Sequence, residues 1–207
     1  MQLQTTTQFI DVEESGQSLR FRLVHLVFLA HGIRDVFANK NNKSLRETLA
    51  HRRYQSLSKS VLSQYPSSLD KPLGCFLAEL KTKGDVTYRR FLNPHGDKAY
   101  CHFQLSHNPY AALKGLYLFT CLGKIAYVGR SYDPFAKRVD QGYGIIHPKN
   151  CFIDGQSTNC HLNSLIAEQH ENIRFYVFPL TDDHRIEVTE RKLIQQLRPE
   201  WNVALAR

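Results

Sequence analysis

The sequence predicts an α/β (α+β) fold in which a small antiparallel three-stranded sheet, flanked by helices, follows a mainly helical N-terminal region. Three observations carry that expectation. Gly115-Leu116-Tyr117-Leu118-Phe119-Thr120 and Ile125-Ala126-Tyr127-Val128-Gly129 are short aromatic and branched runs around Cys121-Leu122-Gly123-Lys124, the pattern of a β-hairpin. Residues 173–180 form a third such run, and residues 186–197 follow with helical periodicity until Pro199 stops it. Upstream, dense apolar positions after Gln17-Ser18 and a basic run after Ser44 read as capped helices.

Taken in order, the first helix spans about residues 19–37, weakened locally by Gly32. A break at residues 39–42 precedes a second helix over about 45–62, carrying Arg46, His51, Arg52, Arg53 and Lys59, whose charges can track a phosphate backbone. Residues 73–80 make a third, short helix, residues 87–91 a short strand, and residues 99–105 alternate like a half-buried strand. Asn108-Pro109 breaks that pattern and places a domain boundary near residue 110. Residues 1–110 are then a basic, mainly helical region suited to DNA binding, and residues 111–207 a second domain.

Within the hairpin, alternation sets Leu116 and Leu118 on one face and Tyr117 and Phe119 on the other. Asp133-Pro134 leads into a helix carrying Lys137 and Arg138. Residues 141–163 are rich in Gly, Pro, Asn, Ser and Thr and read as a loop, with a helix over about 160–169. Gln156, Thr158, Asn159 and Asn163 are side chains of the kind that read base edges or hold phosphate oxygens.

The 207 residues carry a formal charge of +8, which favours a polyanionic partner over a neutral one. Residues 1–110 hold 15 Lys and Arg against 9 Asp and Glu, whereas residues 111–207 hold 12 against 10, so the excess is N-terminal. The most apolar run, residues 23–30, is too short to span a bilayer, and residues 1–8 are polar rather than basic and then apolar. No membrane partner and a cytoplasmic location are the expectations. Five cysteines at irregular spacing agree with reduced thiols.

Gly115-x-Tyr117, then Tyr127-Val128-Gly129, then a helix with an arginine resembles the GIY-YIG nuclease family. Glu190-Arg191-Lys192-Leu193-Ile194 and Pro199-Glu200-Trp201-Asn202 resemble that family's closing helix. The resemblance covers about residues 113–203, and Leu116 stands where the middle Ile is usual. Compact members of the family pass more directly from the first helix to the next strand, so residues 141–163 resemble an insertion, and the resemblance implies that this insertion, with Gln156, Thr158, Asn159 and Asn163, carries substrate recognition. It implies a Mg2+-dependent DNA endonuclease, with Mn2+ able to substitute, in which Glu190 holds the metal through a hard oxygen. It implies that Tyr117 activates water, with Tyr127 in a shared hydrogen-bond network, and that Asn202 braces the site.

A phenol is a poor base at pH 7 unless a nearby cation lowers its pKa, a role open to Lys124, Arg130 or Arg138. Arg138 matches the helix arginine that grips the scissile phosphate, one position later than the pattern expects, so Arg130 and Lys137 stand as rivals for that contact. His147 follows as a further catalytic candidate, as base or phosphate ligand.

A restriction-type, sequence-specific enzyme acting on double-stranded DNA, with a homodimer on DNA as a compatible arrangement, is the leading expectation. Homing, repair or structure-specific nucleases and a catalytically inactive DNA-binding module are the alternatives. His147, Cys151, Cys160 and His161 also form a set of zinc-type ligands, without paired Cys-x-x-Cys spacing.

Overall fold

The computed structural model describes residues 8–202. The reading of the chain's start as free of a secretory leader falls on residues 1–7 and lies outside the described residues. The strands are β1 (Phe9–Glu14), β2 (Gln17–Val24), β3 (Leu26–Ile33), β4 (Tyr100–Leu105), β5 (Gly115–Cys121), β6 (Lys124–Ser131) and β7 (Ile173–Pro179). The α-helices are α1 (Leu45–Leu49), α2 (Gln55–Gln64), α3 (Leu73–Thr82), α4 (Phe135–Arg138), α5 (Ser157–Gln169) and α6 (Asp183–Leu197).

Two compact units result, each assembled from separated stretches. Residues 8–29, 103–144 and 169–202 make the first, and residues 30–102 and 145–168 the second. The boundary expected near residue 110 lies inside the first unit, and the insertion at 141–163 divides after Gly144.

The first unit is built on a five-stranded antiparallel sheet of order β1-β2-β7-β5-β6. This corrects the expected three-stranded sheet and the mainly helical N-terminal region. Residues 19–37 were assigned to a helix on apolar density, but their period is two. Along β2, Leu19, Phe21 and Leu23 are buried while Ser18, Arg20 and Arg22 are exposed. Burying a side chain such as Phe21 contributes about 1.5–3 kcal/mol, which a helix over the same residues would deliver to two faces at once.

The turns agree with the strand assignment. Ser15 and Gly16 (φ 48° and 79°) join β1 to β2, and Leu122 and Gly123 (φ 51° and 78°) join β5 to β6, both as two-residue loops with left-handed backbone at each position. β1 and β2 thereby extend the sheet beyond β7, and β2 pairs with β7 through Arg22↔Val177 and its neighbours.

β5 lies inside the sheet, between β7 and β6, and is buried on both faces. One face sends Leu116 and Leu118 into a core with Phe21, Val128, Tyr176 and the α6 residues Ile186, Leu193 and Ile194. The other carries Tyr117 and Phe119 into an aromatic cluster with Tyr127, Phe135, Tyr143 and Phe175. The alternation read from the hairpin thus separates a helix-packing face from an aromatic face.

The second unit packs α1, α2, α3 and several 3-10 turns around Phe37, Leu45, Tyr54, Phe76, Leu77, Phe91, Tyr100 and Phe152. The single helix expected over 45–62 is broken: α1 ends at Leu49, a 3-10 turn covers Arg52–Tyr54, and α2 starts at Gln55. His51 supplies the break, because its extended backbone (ψ 137°) and ring Nδ1, which accepts from Arg53 N at 3.4 Å, start a new turn. Arg46, Arg52, Arg53 and Lys59 therefore do not lie along one helix. Residues 87–91, expected as a strand, form part of a 3-10 helix (Val86–Phe91) started by Asp85, whose carboxylate accepts from Thr87 N at 2.9 Å. β3 and β4 pair in a separate two-stranded sheet, and the division between units falls inside both strands. No described helix is long and apolar enough to cross a membrane.

Candidate active site

Tyr117 on β5 and Tyr127 on β6 reach one surface because Tyr117 pairs with Gly129 and Phe119 with Tyr127 in the hairpin register. A Cβ at Gly129 would overlap the Tyr117 ring and hydroxyl, so glycine is what lets that ring cross the neighbouring strand. At the other end, Gly115 (φ 143°) lies against the backbone of Phe178 and Leu180, where only glycine combines that dihedral with that approach.

Behind β6, α4 begins after Pro134 and ends at Arg138, and residues Val139–Tyr143 continue it as a π-helical turn. The extra residue in that turn matters. On a regular helix, positions five apart do not share a face, whereas the widened turn brings Tyr143 back under Arg138. An Arg138 guanidinium N–H donates to Tyr143 Oη at 2.5 Å, and its carbon lies 4.4 Å from that ring's centroid. Tyr143 Oη also lies 2.7 Å from Tyr117 Oη and 3.4 Å from Tyr127 Oη, so one hydroxyl joins all three residues. Tyr143 was not singled out from the sequence. The only trace there was a tyrosine between two glycines, and nothing in residue order announces a π-turn.

From α6, Glu190 projects to the same place and accepts from Arg130 of β6 at 2.5 Å. Tyr117, Tyr127, Arg130, Tyr132, Arg138, Glu187, Glu190 and Arg191 line a single open cavity of about 400 Å³. Tyr132, Glu187 and Arg191 are additions to the residues anticipated from sequence. Glu187, about one turn before Glu190, and Arg191, the residue after it, form an exposed i,i+4 pair at 3.2 Å on α6.

The electrostatics run against an easily ionised phenol. Burial pushes Tyr117 well above the usual tyrosine pKa, and the neighbouring phenols add to it, so the opposing pull of Arg138 does not prevail. Tyr127 is raised in the same way. The expectation that a cation lowers the phenol's pKa is thus corrected by desolvation. Burial also raises the Glu190 carboxyl, only partly offset by Arg130. For Arg138, burial opposes its charge, but the surrounding phenol oxygens keep its pKa above the ordinary guanidinium value. Arg138 Nε is buried with no hydrogen-bond partner among the described residues. A desolvated, unpaired guanidinium N–H beside an open cavity is costly unless an acceptor arrives.

Asn202 sits behind the site. Its side chain accepts from Val128 N at 2.9 Å and donates to Val128 O at 2.8 Å, and Trp201 N donates to Ala126 O, so the closing segment satisfies the outer edge of β6. It braces the strand that carries Tyr127 and does not line the cavity.

The remaining anticipated residues are dispersed. Lys137 pairs with Asp133 at 2.8 Å in solvent, outside the cavity, which leaves Arg138 and Arg130, of the three anticipated for the phosphate contact, at the site beside Arg191. His147 belongs to the second unit. Asn163 is fully buried, bonded through both amide atoms to the backbone of Cys101 at 2.9 Å, and Asn159 is buried and donates to Gln156 Oε1 at 2.8 Å. Neither can offer an edge to a base. Gln156 and Thr158 are exposed, as are Arg52 and Arg53, with Arg53 also donating to Ile153 O at 3.3 Å.

Cys151 and Cys160 are fully buried, and the His161 ring lies against that of His95, with centroids 4.4 Å apart and planes tilted by 47°. Among the described residues no group of three or more His, Cys, Asp or Glu side chains is placed to hold a metal ion, so no cluster stands behind the zinc reading. Glu190 alone, with Glu187 on the same wall, offers hard oxygens suited to Mg2+ if phosphate and water complete the shell. Compared with family models, with curated proteins and with solved structures, the chain has no match.

Proposed function

We propose that this chain is a Mg2+-dependent DNA endonuclease of GIY-YIG type, cutting phosphodiester bonds in double-stranded DNA. The observation that carries the reading is the convergence of Tyr117, Tyr127, Arg138 and Glu190 on one cavity, with the buried Tyr143 hydroxyl linking both tyrosines to Arg138 and Arg138 Nε lacking an acceptor among the described residues. A non-bridging phosphate oxygen is the acceptor that a buried guanidinium N–H best fits. Arg138 would hold the scissile phosphate there. Tyr117, kept neutral by burial, would orient the attacking water through its hydroxyl, which shares its proton network with Tyr143. Glu190 would carry Mg2+, which supplies charge neutralisation at the phosphoryl oxygens and at the leaving oxygen.

Supercoiled plasmid incubated with Mg2+ should be nicked or linearised, and EDTA should stop it; intact plasmid across metals and salt would overturn the proposal. Discrete end sequences would favour the restriction-type reading, whereas scattered ends favour a repair or structure-specific role. A second reading, an inactive DNA-binding module, draws on the Arg130–Glu190 pair, which engages the metal-binding carboxylate. Binding without nicking would favour it.

A further inference from the structure

The second unit contains a larger cavity, of about 770 Å³, lined by Asn39, Lys40, Asn42, Lys43, His51 and Lys149 among others. That volume is in the range of small-ligand sites, about 300–1,000 Å³. Its walls are fixed by the fold. Gly74 N donates to Lys40 O and Leu73 N to Lys43 O, both at 2.9 Å, and Cys75 N donates to Asn41 Oδ1, so the 39–43 loop is fastened to the start of α3. A Cβ at Gly74 would strike the Ala38 carbonyl, which makes that close approach depend on glycine. Opposite, the His147–Asn150 turn is closed by Asn150 N donating to His147 O and His147 N to Asn150 Oδ1.

Among the described residues, three lysines, Lys40, Lys43 and Lys149, line this space against one carboxylate residue, Asp154, which already accepts from Tyr54 Oη at 2.6 Å. The lysines that form ion pairs among the described residues are Lys71, Lys81, Lys114, Lys137 and Lys192, none of which is here. Lys40 lies 5.0 Å from the Phe152 ring centroid, and burial lowers its pKa, opposed by Asp154 and reinforced by repulsion from Lys43 and Lys149. Three like charges held on a rigid frame against a single carboxylate are stabilised by an anion with several acceptor oxygens.

We infer that this cavity binds the phosphate group of a nucleotide, with Lys40, Lys43 and Lys149 around the phosphate and Asn39 and Asn42 toward the sugar or base. A DNA strand and a free mononucleotide both offer that chemistry. Only the strand as source rests on the nuclease reading.

Isothermal titration of the full chain carrying Glu190→Gln with dAMP, deoxyadenosine and a short duplex tests it. dAMP or the duplex should bind in a salt-dependent manner, and deoxyadenosine should not. Lys40→Ala combined with Lys149→Ala should weaken binding of whichever phosphate ligand binds by about tenfold or more, whereas Lys83→Ala, at an exposed lysine outside the cavity, should not, with melting curves confirming the fold. Displacement of dAMP by duplex, or duplex binding alone, identifies the strand as source; dAMP binding without displacement identifies a free nucleotide. Equal binding of dAMP and deoxyadenosine, no binding of any phosphate ligand, or unchanged affinity in the double lysine variant would overturn the proposal. Unchanged affinity beside Mg2+-dependent plasmid cutting by the parent removes this site alone. Lysine-dependent binding beside an inert plasmid removes the nuclease reading alone.

Discussion

Arg130 and Glu190 form an ion pair of 2.5 Å across the mouth of the tyrosine cavity, with the Glu190 side chain 12% exposed and that of Arg130 33%. The carboxylate proposed to hold a metal is therefore occupied by an internal cation. A metal and Arg130 compete for the same oxygen, and a DNA phosphate offers Arg130 an alternative partner. Arg130→Ala should raise the affinity of the DNA-free protein for Mn2+ by about tenfold, since a charge-assisted hydrogen bond is worth about 1.5–3 kcal/mol. Calorimetric titration checks this, and an unchanged or weaker affinity would show that Arg130 does not compete.

Glu190→Gln should abolish cleavage while leaving duplex binding intact, because the metal's charge partner goes and Arg138 stays. Single-turnover cleavage and filter binding on the same preparation separate the two effects. Appreciable cleavage by that variant would remove Glu190 from the site.

Tyr143→Phe deletes the hydroxyl that Tyr117, Tyr127 and Arg138 share. Its rate should fall by orders of magnitude, as should that of Tyr117→Phe, and the double variant should be little slower than either. Additive losses would mean that the hydroxyls act separately.

Asp140 accepts from Leu105 N at 2.8 Å, and burial raises its pKa. An acid with a raised folded pKa binds its proton more tightly when folded. The stability tied to that proton is fully present below the unfolded value and is lost as pH rises through the raised one. Asp140→Asn keeps an acceptor without the charge, so its melting temperature should exceed the parent's at pH 7, with the gap closing toward acidic pH. A gap independent of pH would place the effect elsewhere.

Asn163→Ala leaves the buried Cys101 N–H and C=O unsatisfied. At about 1–3 kcal/mol for each group, it should cost about 2–6 kcal/mol in chemical denaturation. The ratio of cleavage between preferred and near-miss DNA sites should not move. A changed ratio at unchanged stability would restore Asn163 as a reader.

Local chemistry explains what was legible in the sequence. Leu122-Gly123 and the flanking alternation determine the β5–β6 hairpin, and alternation gives β4, because a strand's period and a two-residue turn depend on neighbours in the chain. Asp182, whose side chain accepts from Arg185 N at 3.0 Å, starts α6, and Arg198 with left-handed backbone ends it just before Pro199. The order of Tyr117, Tyr127, Arg138 and Glu190 likewise pointed to residues that the fold assembles at one cavity.

Tertiary structure decided the rest. β2 reads as a dense apolar segment until β7 supplies the partner that makes its period of two energetically decisive. Asn163 looks like a base reader until burial gives both its amide atoms to Cys101, and Tyr143 is unremarkable until a π-turn returns it beneath Arg138. The phenols' raised pKa follows from desolvation, a property of the packed aromatic cluster and not of any residue in it. The sequence by itself pointed to Tyr117, Tyr127, Arg138 and Glu190; the packing gathered them at one cavity and determined their partners, because burial and hydrogen-bond geometry arise only between segments distant in the chain.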